Sequence, residues 1–201
     1  MRNIIATILA LAALNGLGAQ ARGAKPTIVL VHGAFADASG WSDVIDRLQK
    51  QGYNAVAVQN PLSSLATDVE TTKRLVDAQP GDVVLVGHSY CGAVISGASA
   101  GDSKVKALVY ISAFAPDANE PVGAIGAKYP APLLNKSLVV DSAGFAYIDT
   151  AKFHASFAAD LPVAKTRIMA VTQKPLSTGV FKESNSGAGW KTIRSWFLVS
   201  K

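Results

Sequence analysis

The sequence predicts an α/β fold: a three-layer sandwich with a mostly parallel sheet between helices on both faces. Short runs of valine, isoleucine and leucine recur between residues 27 and 111, and the stretches between them have the apolar periodicity of helices. This alternation favours parallel strands joined by right-handed helical crossovers. The 201 residues suffice for one such domain, and a charged fraction of 16% excludes a disordered chain or a coiled coil.

The runs that predict strands are continuous, as expected for strands buried on both faces of a sheet. They cover residues 27–31, 55–58, 83–86 and 107–111, and a fifth run covers 195–199. Between them, the spacing predicts helices over 41–51 and 67–78 and a third helix that contains Val94 and Ile95. We therefore expect a single domain over residues 22–201.

The pattern weakens between residues 115 and 189. Six of the nine prolines lie there, which disfavours long regular elements. Short helical pieces such as 151–159 remain. We interpret this stretch as a cap inserted over the carboxyl edge of the sheet, without further strands of that sheet.

The N-terminus has the features of a signal peptide. Arg2 precedes an apolar run over residues 4–14, and Ala19-Gln20-Ala21 matches a cleavage signature. The run is too short to span a bilayer, and no later segment is long and apolar enough. We therefore expect residues 1–21 to be removed, leaving an exported, periplasmic or secreted protein without a membrane span. The alternative is an uncleaved membrane anchor. Cys91 is the only cysteine, so an internal disulfide cannot form.

The strongest chemical signal lies at the end of the third predicted strand, in Gly87-His88-Ser89-Tyr90-Cys91-Gly92. A serine between a buried strand and a helix occupies a sharp turn that raises its Oγ above the edge of the sheet. The following helix directs backbone N–H groups towards negative charge near that oxygen. Ser89 is therefore the candidate nucleophile. The alternative is an ordinary strand-to-helix turn.

A second signal, His32-Gly33-Ala34-Phe35, follows the first strand. Gly33 lets the backbone pass close to the serine, so the N–H of Ala34, with that of Phe35 in reserve, can form an oxyanion hole with the N–H of Tyr90. Such a pair stabilises the alkoxide of acyl transfer. We interpret His32 as a structural residue rather than a base.

Two segments carry a family resemblance, VLVHGAFADASGW at 29–41 and VLVGHSYCGAVISGA at 84–98. The chain resembles the α/β-hydrolase superfamily, closest to a small exported, esterase-like branch with HGA and GHSxGG-type motifs. The resemblance covers residues 25–114 well and 190–200 more weakly. It implies a serine hydrolase of small esters, with Ser89 as nucleophile, Ala34 and Tyr90 as oxyanion donors and a cap over the site. Cys91 stands where the family has glycine, and we expect this small side chain to be tolerated.

The same resemblance implies a catalytic acid after the strand at 195–200 and a histidine one strand later. The sequence ends at Lys201, so we expect a chain truncated at its C-terminus relative to the family and impaired in activity. Asp117 and His154 are the candidate substitutes for the acid and the base. His88 occupies the variable position of the motif, where the turn directs it away from the Ser89 hydroxyl.

Three functions remain open from the sequence. The first is ester hydrolysis through Ser89, and the second is an inactive fold that binds a small ligand. The third is a lyase or a cofactor-free dehalogenase or peroxidase on the same framework. We expect a small-molecule substrate, no cofactor, no metal and no nucleic-acid partner, because no phosphate loop, ligand cluster or long basic run is present.

Overall fold

A computed structural model describes residues 24–200, and the expected signal peptide lies outside them. Its strands are β1 (Thr27–Val31), β2 (Ala55–Val58), β3 (Val83–His88), β4 (Val105–Ile111), β5 (Leu138–Val140), β6 (Phe145–Ile148), β7 (Leu176–Ser177) and β8 (Ser195–Leu198). Five of them form a parallel sheet in the order β2-β1-β3-β4-β8. These are the five strands that the apolar runs predict, and the parallel sheet is confirmed.

The helices are α1 (Ser42–Lys50), α2 (Leu65–Asp77), α3 (Cys91–Ala98), α4 (Val122–Gly126), α5 (Phe153–Phe157) and α6 (Val163–Thr172). Short 3₁₀ helices cover Ala38–Trp41, Leu133–Ser137, Thr178–Lys182 and Gly189–Lys191. The side chain of Ser64 accepts a hydrogen bond from the N–H of Thr67, which explains why α2 begins at this point.

The side chains of β1 alternate between two apolar layers, as the period of two in a strand requires. Ile28 and Leu30 pack in one cluster with Trp41, next to α1. Val29 and Val31 pack in a larger cluster on the opposite face, which contains residues of α2 and α3. The expectation of helices on both faces is thus confirmed.

The segment between β4 and β8 contains a second, three-stranded antiparallel sheet in the order β5-β6-β7. The proline-rich pattern predicts only helical pieces here, so these three strands differ from the expectation. A turn creates the hairpin: Asp141 Oδ1 accepts hydrogen bonds from the N–H groups of Ala143 and Phe145, and Gly144 has a φ of +82°. A turn signal between two β-branched or aromatic runs was the overlooked pattern.

The connections place a crevice at the carboxyl ends of β1 and β3. In the sheet, β1 and β3 are neighbours. The chain leaves β1 towards β2 on one side and leaves β3 towards β4 on the other, so the two connections diverge between these strands. Ligands of open parallel sheets bind at such a point. Residues 32–35 follow β1 there, and Ser89 follows β3. Among residues 24–200, no helix combines the length and hydropathy that crossing a membrane requires.

Candidate active site

Ser89 occupies a strained turn between β3 and α3. Its φ of +53° lies in the left-handed region, which a serine adopts only when the surrounding structure enforces it. The Ser89 N–H donates to the carbonyl of Ile111 at 3.2 Å, and its carbonyl accepts from the N–H groups of Gly92 at 3.1 Å and Phe114 at 3.0 Å. These bonds hold the turn, and the residue remains partly exposed at the crevice.

Two glycines on either side of Ser89 let the turn pack tightly. A Cβ on Gly87 would lie 2.7 Å from the carbonyl oxygen of Cys91, and a Cβ on Gly92 would lie 2.1 Å from that of Phe114. Both distances are shorter than a van der Waals contact permits. The small residues of the motif are therefore required by packing.

The loop after β1 approaches this turn closely at Gly33. A Cβ on Gly33 would lie 3.0 Å from the Cβ of Ser89 and 3.0 Å from Nδ1 of His88. Phe35, two residues later, has a φ of +62°, so the loop turns sharply just beyond the contact. The close approach that the sequence predicts for Gly33 is present.

The expected oxyanion donors, Ala34 and Tyr90, flank this contact. Both residues are buried. Within residues 24–200, neither N–H donates a hydrogen bond to a backbone carbonyl. Buried N–H groups are normally paired, so two such groups beside a partly exposed serine are a suitable place for a ligand oxygen.

The side chain of Tyr90 is anchored by the carboxyl group of Asp68, a residue without a predicted role. Its hydroxyl donates to Oδ2 of Asp68 at 2.9 Å, and Oδ1 of Asp68 accepts from the N–H of Leu62 at 2.8 Å. Burial raises the pKa of Asp68, and burial together with Asp68 raises the pKa of Tyr90. The overlooked signal was the position of Asp68 on the same helical face as buried Thr72.

His32 forms hydrogen bonds through both ring nitrogens and stabilises the loop after β1. Its Nε2 accepts a hydrogen bond from the N–H of Asn60 at 3.1 Å, so Nδ1 carries the proton and donates it to the carbonyl of Gly33 at 3.0 Å. Burial lowers the pKa of His32, which keeps the ring neutral. With both nitrogens engaged, His32 has no lone pair for the Ser89 hydroxyl, in agreement with its interpretation as structural.

Within the described residues, neither of the other two histidines forms a hydrogen bond with Ser89. His88 stands edge-on to Trp41, with ring centroids 6.5 Å apart, and burial lowers its pKa. His154, in α5, has Nδ1 3.2 Å from Oγ1 of Thr166 in α6. Thr166 donates to the carbonyl of Val163, so it accepts from the imidazole of His154.

Asp117 forms an exposed ion pair with Lys191, whose Nζ lies 2.6 Å from its Oδ1, and this partner lowers the pKa of Asp117. The structure therefore brings Ser89, Ala34 and Tyr90 to one place and gives Asp117 and His154 other partners.

A cleft of about 430 Å³ opens beside the loop after β1. Phe35 and Asp37 line one wall, and Lys165 and Met169 of α6 line the other. The ring of Phe35 packs edge-on against Phe157 of α5, with centroids 6.2 Å apart. The segment after β4 thus contacts the loop after β1 and forms one side of the cleft.

A model of the alpha/beta hydrolase family matches residues 28–201, most of the chain. The chain belongs to the alpha/beta hydrolase family. An alpha/beta hydrolase of Aspergillus novofumigatus, nvfD, is 36% identical over 110 residues, which are 45% of this chain and 44% of that protein. A carbendazim hydrolyzing esterase of a Nocardioides species is 34% identical over 110 residues, 48% of this chain and 46% of that protein.

Solved structures share the fold of this alpha/beta hydrolase. An extracellular alpha/beta-hydrolase from a Paenibacillus species superimposes with a TM-score of 0.72 and 19% identity, over 86% of this chain and 76% of that one. By contrast, the matches to the two curated relatives span less than half of their length.

Proposed function

We propose that this alpha/beta hydrolase cleaves small carboxylic esters by acyl transfer through Ser89. The observation that carries the proposal is the φ of +53° at Ser89, which raises a serine at the crevice beside the N–H groups of Ala34 and Tyr90. A strained backbone maintained at such a site is typical of functional turns. The carbendazim hydrolyzing esterase among the relatives adds support for an ester substrate.

The reaction has two stages. Oγ of Ser89 attacks the carbonyl carbon of the ester, the hydroxyl proton passes to a base, and the carbonyl oxygen becomes an alkoxide bound by the N–H groups of Ala34 and Tyr90. Collapse of this intermediate breaks the bond to the alcohol, which leaves with a proton and yields an acyl-serine. Water then attacks the acyl carbon, releases the acid and restores Ser89.

We further propose that this chain performs the first stage slowly. Of its three histidines, His32 and His154 form hydrogen bonds with other groups and His88 packs against Trp41. Within residues 24–200, none of these imidazoles forms a hydrogen bond with the Ser89 hydroxyl. The hydroxyl proton then passes to water. Binding and oxyanion donors alone sustain about 10³–10⁴-fold acceleration over water when the serine lacks its catalytic partners.

The same contacts of the histidines favour a second candidate, a protein that binds a small acyl ligand at the crevice without turnover. The two buried amides can bind a carbonyl oxygen without any proton acceptor. The neighbouring cleft is lined by Phe35 and residues of α6, and its lining does not include Ser89. The two candidates differ in whether Ser89 forms a covalent bond.

A fluorophosphonate probe separates them. Hydrolysis predicts one added phosphonyl group at Ser89, measured by intact mass and peptide mapping, and none in Ser89→Ala. Ser99→Ala, a buried serine of the segment after α3, is the control and should label like the parent. No labelling of the parent, together with saturable binding of a short-chain ester by NMR titration, would establish the binding protein.

Export is also a proposal, supported by the residues at 1–21. Expression of the full sequence in a Gram-negative host should give a periplasmic protein whose mass corresponds to a start near Arg22. An uncleaved, membrane-bound product would contradict it.

A further inference from the structure

Asn60, just after β2, connects several segments around the candidate site. It is fully buried, and its backbone N–H donates to Nε2 of His32 at 3.1 Å. Its side-chain amide donates to Sγ of Cys91 at 3.4 Å, and its Oδ1 accepts from the hydroxyl of Thr72 at 3.4 Å. Its backbone carbonyl accepts from Nζ of Lys174, in the segment before β7. Each polar group of Asn60 thus has a partner on a different segment.

The hydrogen bond from Asn60 to His32 determines the orientation of the peptide between Gly33 and Ala34, whose N–H is the first proposed oxyanion donor. Because Asn60 donates to Nε2, the proton of the neutral ring lies on Nδ1, which donates to the carbonyl of Gly33. In a planar trans peptide, the carbonyl of Gly33 and the N–H of Ala34 point in opposite directions. Fixing that carbonyl therefore also fixes the direction of the Ala34 N–H.

The hydrogen bond from Asn60 to Cys91 restrains the second proposed oxyanion donor, the N–H of Tyr90. Cys91 is the first residue of α3 and follows Tyr90 directly, so a bond to its side chain restrains the end of the turn that contains the Tyr90 N–H. The thiol is fully buried, and burial raises its pKa, which keeps it neutral. In this state sulfur can accept the amide hydrogen of Asn60.

We propose that Asn60 and Cys91 form a latch that sets the separation between the N–H groups of Ala34 and Tyr90, with Cys91 acting as a positioning residue for the oxyanion site. Through Asn60, one rigid unit holds the loop after β1 and the start of α3. The thiol undergoes no reaction. This inference rests on the proposed function, because the separation of the two amides matters only when they share one oxygen.

The test compares Cys91→Ala, which removes the acceptor, with Cys91→Ser, which restores one. We expect Cys91→Ala to react with the fluorophosphonate about tenfold more slowly, since a small displacement of an oxyanion donor is costly. Its Ala34 amide resonance should also shift, although Ala34 lies in the loop after β1, far from Cys91 in the sequence. Cys91→Ser should recover most of the rate and of the resonance position.

Ser99→Ala is the matched control. Ser99 is also fully buried, but its hydroxyl donates to the carbonyl of Ile95 and has no contact with Asn60. It should change the thermal midpoint without changing the labelling rate or the Ala34 resonance. If Cys91→Ala behaves like this control, Cys91 only fills space and the latch is overturned.

The Ala34 resonance distinguishes failure of the proposed latch between Asn60 and Cys91 from failure of the proposed function. A parent protein that does not label at all contradicts the hydrolase proposal. In that case, a shift of the Ala34 resonance in Cys91→Ala that returns in Cys91→Ser still supports the latch, and an unchanged resonance refutes it.

Discussion

Gly33 and Ser89 are in such close contact that a side chain on Gly33 would place its Cβ 3.0 Å from the Cβ of the serine. These residues belong to loops that follow two neighbouring parallel strands, β1 and β3. The contact brings the backbone that contains the Ala34 N–H alongside the Ser89 side chain. The geometry proposed for oxyanion binding depends on the absence of a Cβ at this position.

Gly33→Ala should therefore reduce reaction at Ser89. The new methyl group must displace either the serine or the loop, and we expect the fluorophosphonate rate to fall about tenfold to hundredfold. Gly81→Ala is the control, because a Cβ there has no neighbour within 4 Å. Equal rates for the two variants would show that the loop can move without consequence and would contradict the proposed oxyanion site.

Gly92→Ala should lower stability. Its Cβ would lie 2.1 Å from the carbonyl oxygen of Phe114, so α3 must move away from the segment after β4. Overpacking of this kind costs about 1–3 kcal/mol, which urea unfolding measures directly. Gly126→Ala, at the end of α4 with open space around it, should be neutral or slightly stabilising. An unchanged unfolding midpoint for Gly92→Ala would refute the tight packing at the turn.

Mild acid should weaken the fold through the imidazoles of buried His32 and half-buried His88. Burial lowers the pKa values of His32 and His88 from 6.5, so below pH 6.5 the unfolded chain binds protons that the folded chain excludes. The free energy of unfolding then rises with pH in this window. We expect a lower urea midpoint at pH 5.5 than at pH 7. His88→Asn should reduce that difference between the two urea midpoints. An unchanged difference in this variant would rule out a contribution from His88.

Leu198→Lys should increase solubility. β8 lies at the edge of the sheet, and Leu198 is 62% exposed there. Apolar edge strands promote pairing between molecules, and a lysine suppresses it. Light scattering over a concentration series should therefore fall in Leu198→Lys more than in Val44→Lys, which places the same charge on α1. Equal scattering from both variants would exclude the strand edge as the cause.

Local patterns were sufficient to predict the sheet and the turn at Ser89. Continuous apolar runs define each strand of the parallel sheet, and the spacing of small residues around Ser89 defines the turn. The small sheet was harder to predict, because β7 contributes only two residues and pairs with β6 across a long intervening segment. Such a strand is too short to have a detectable period.

The amino-acid sequence by itself therefore determined the parallel sheet, the strand-to-helix turn at Ser89 and the glycine that faces it, since each depends on neighbouring residues and on simple strand order. Only the tertiary structure decided what the polar residues contact. Asn60 forms a hydrogen bond with His32, which lies 28 positions away in the sequence, and Tyr90 forms one with Asp68, which lies 22 positions away. Such pairs form when strands and helices pack, because buried polar groups must find partners wherever the fold places them.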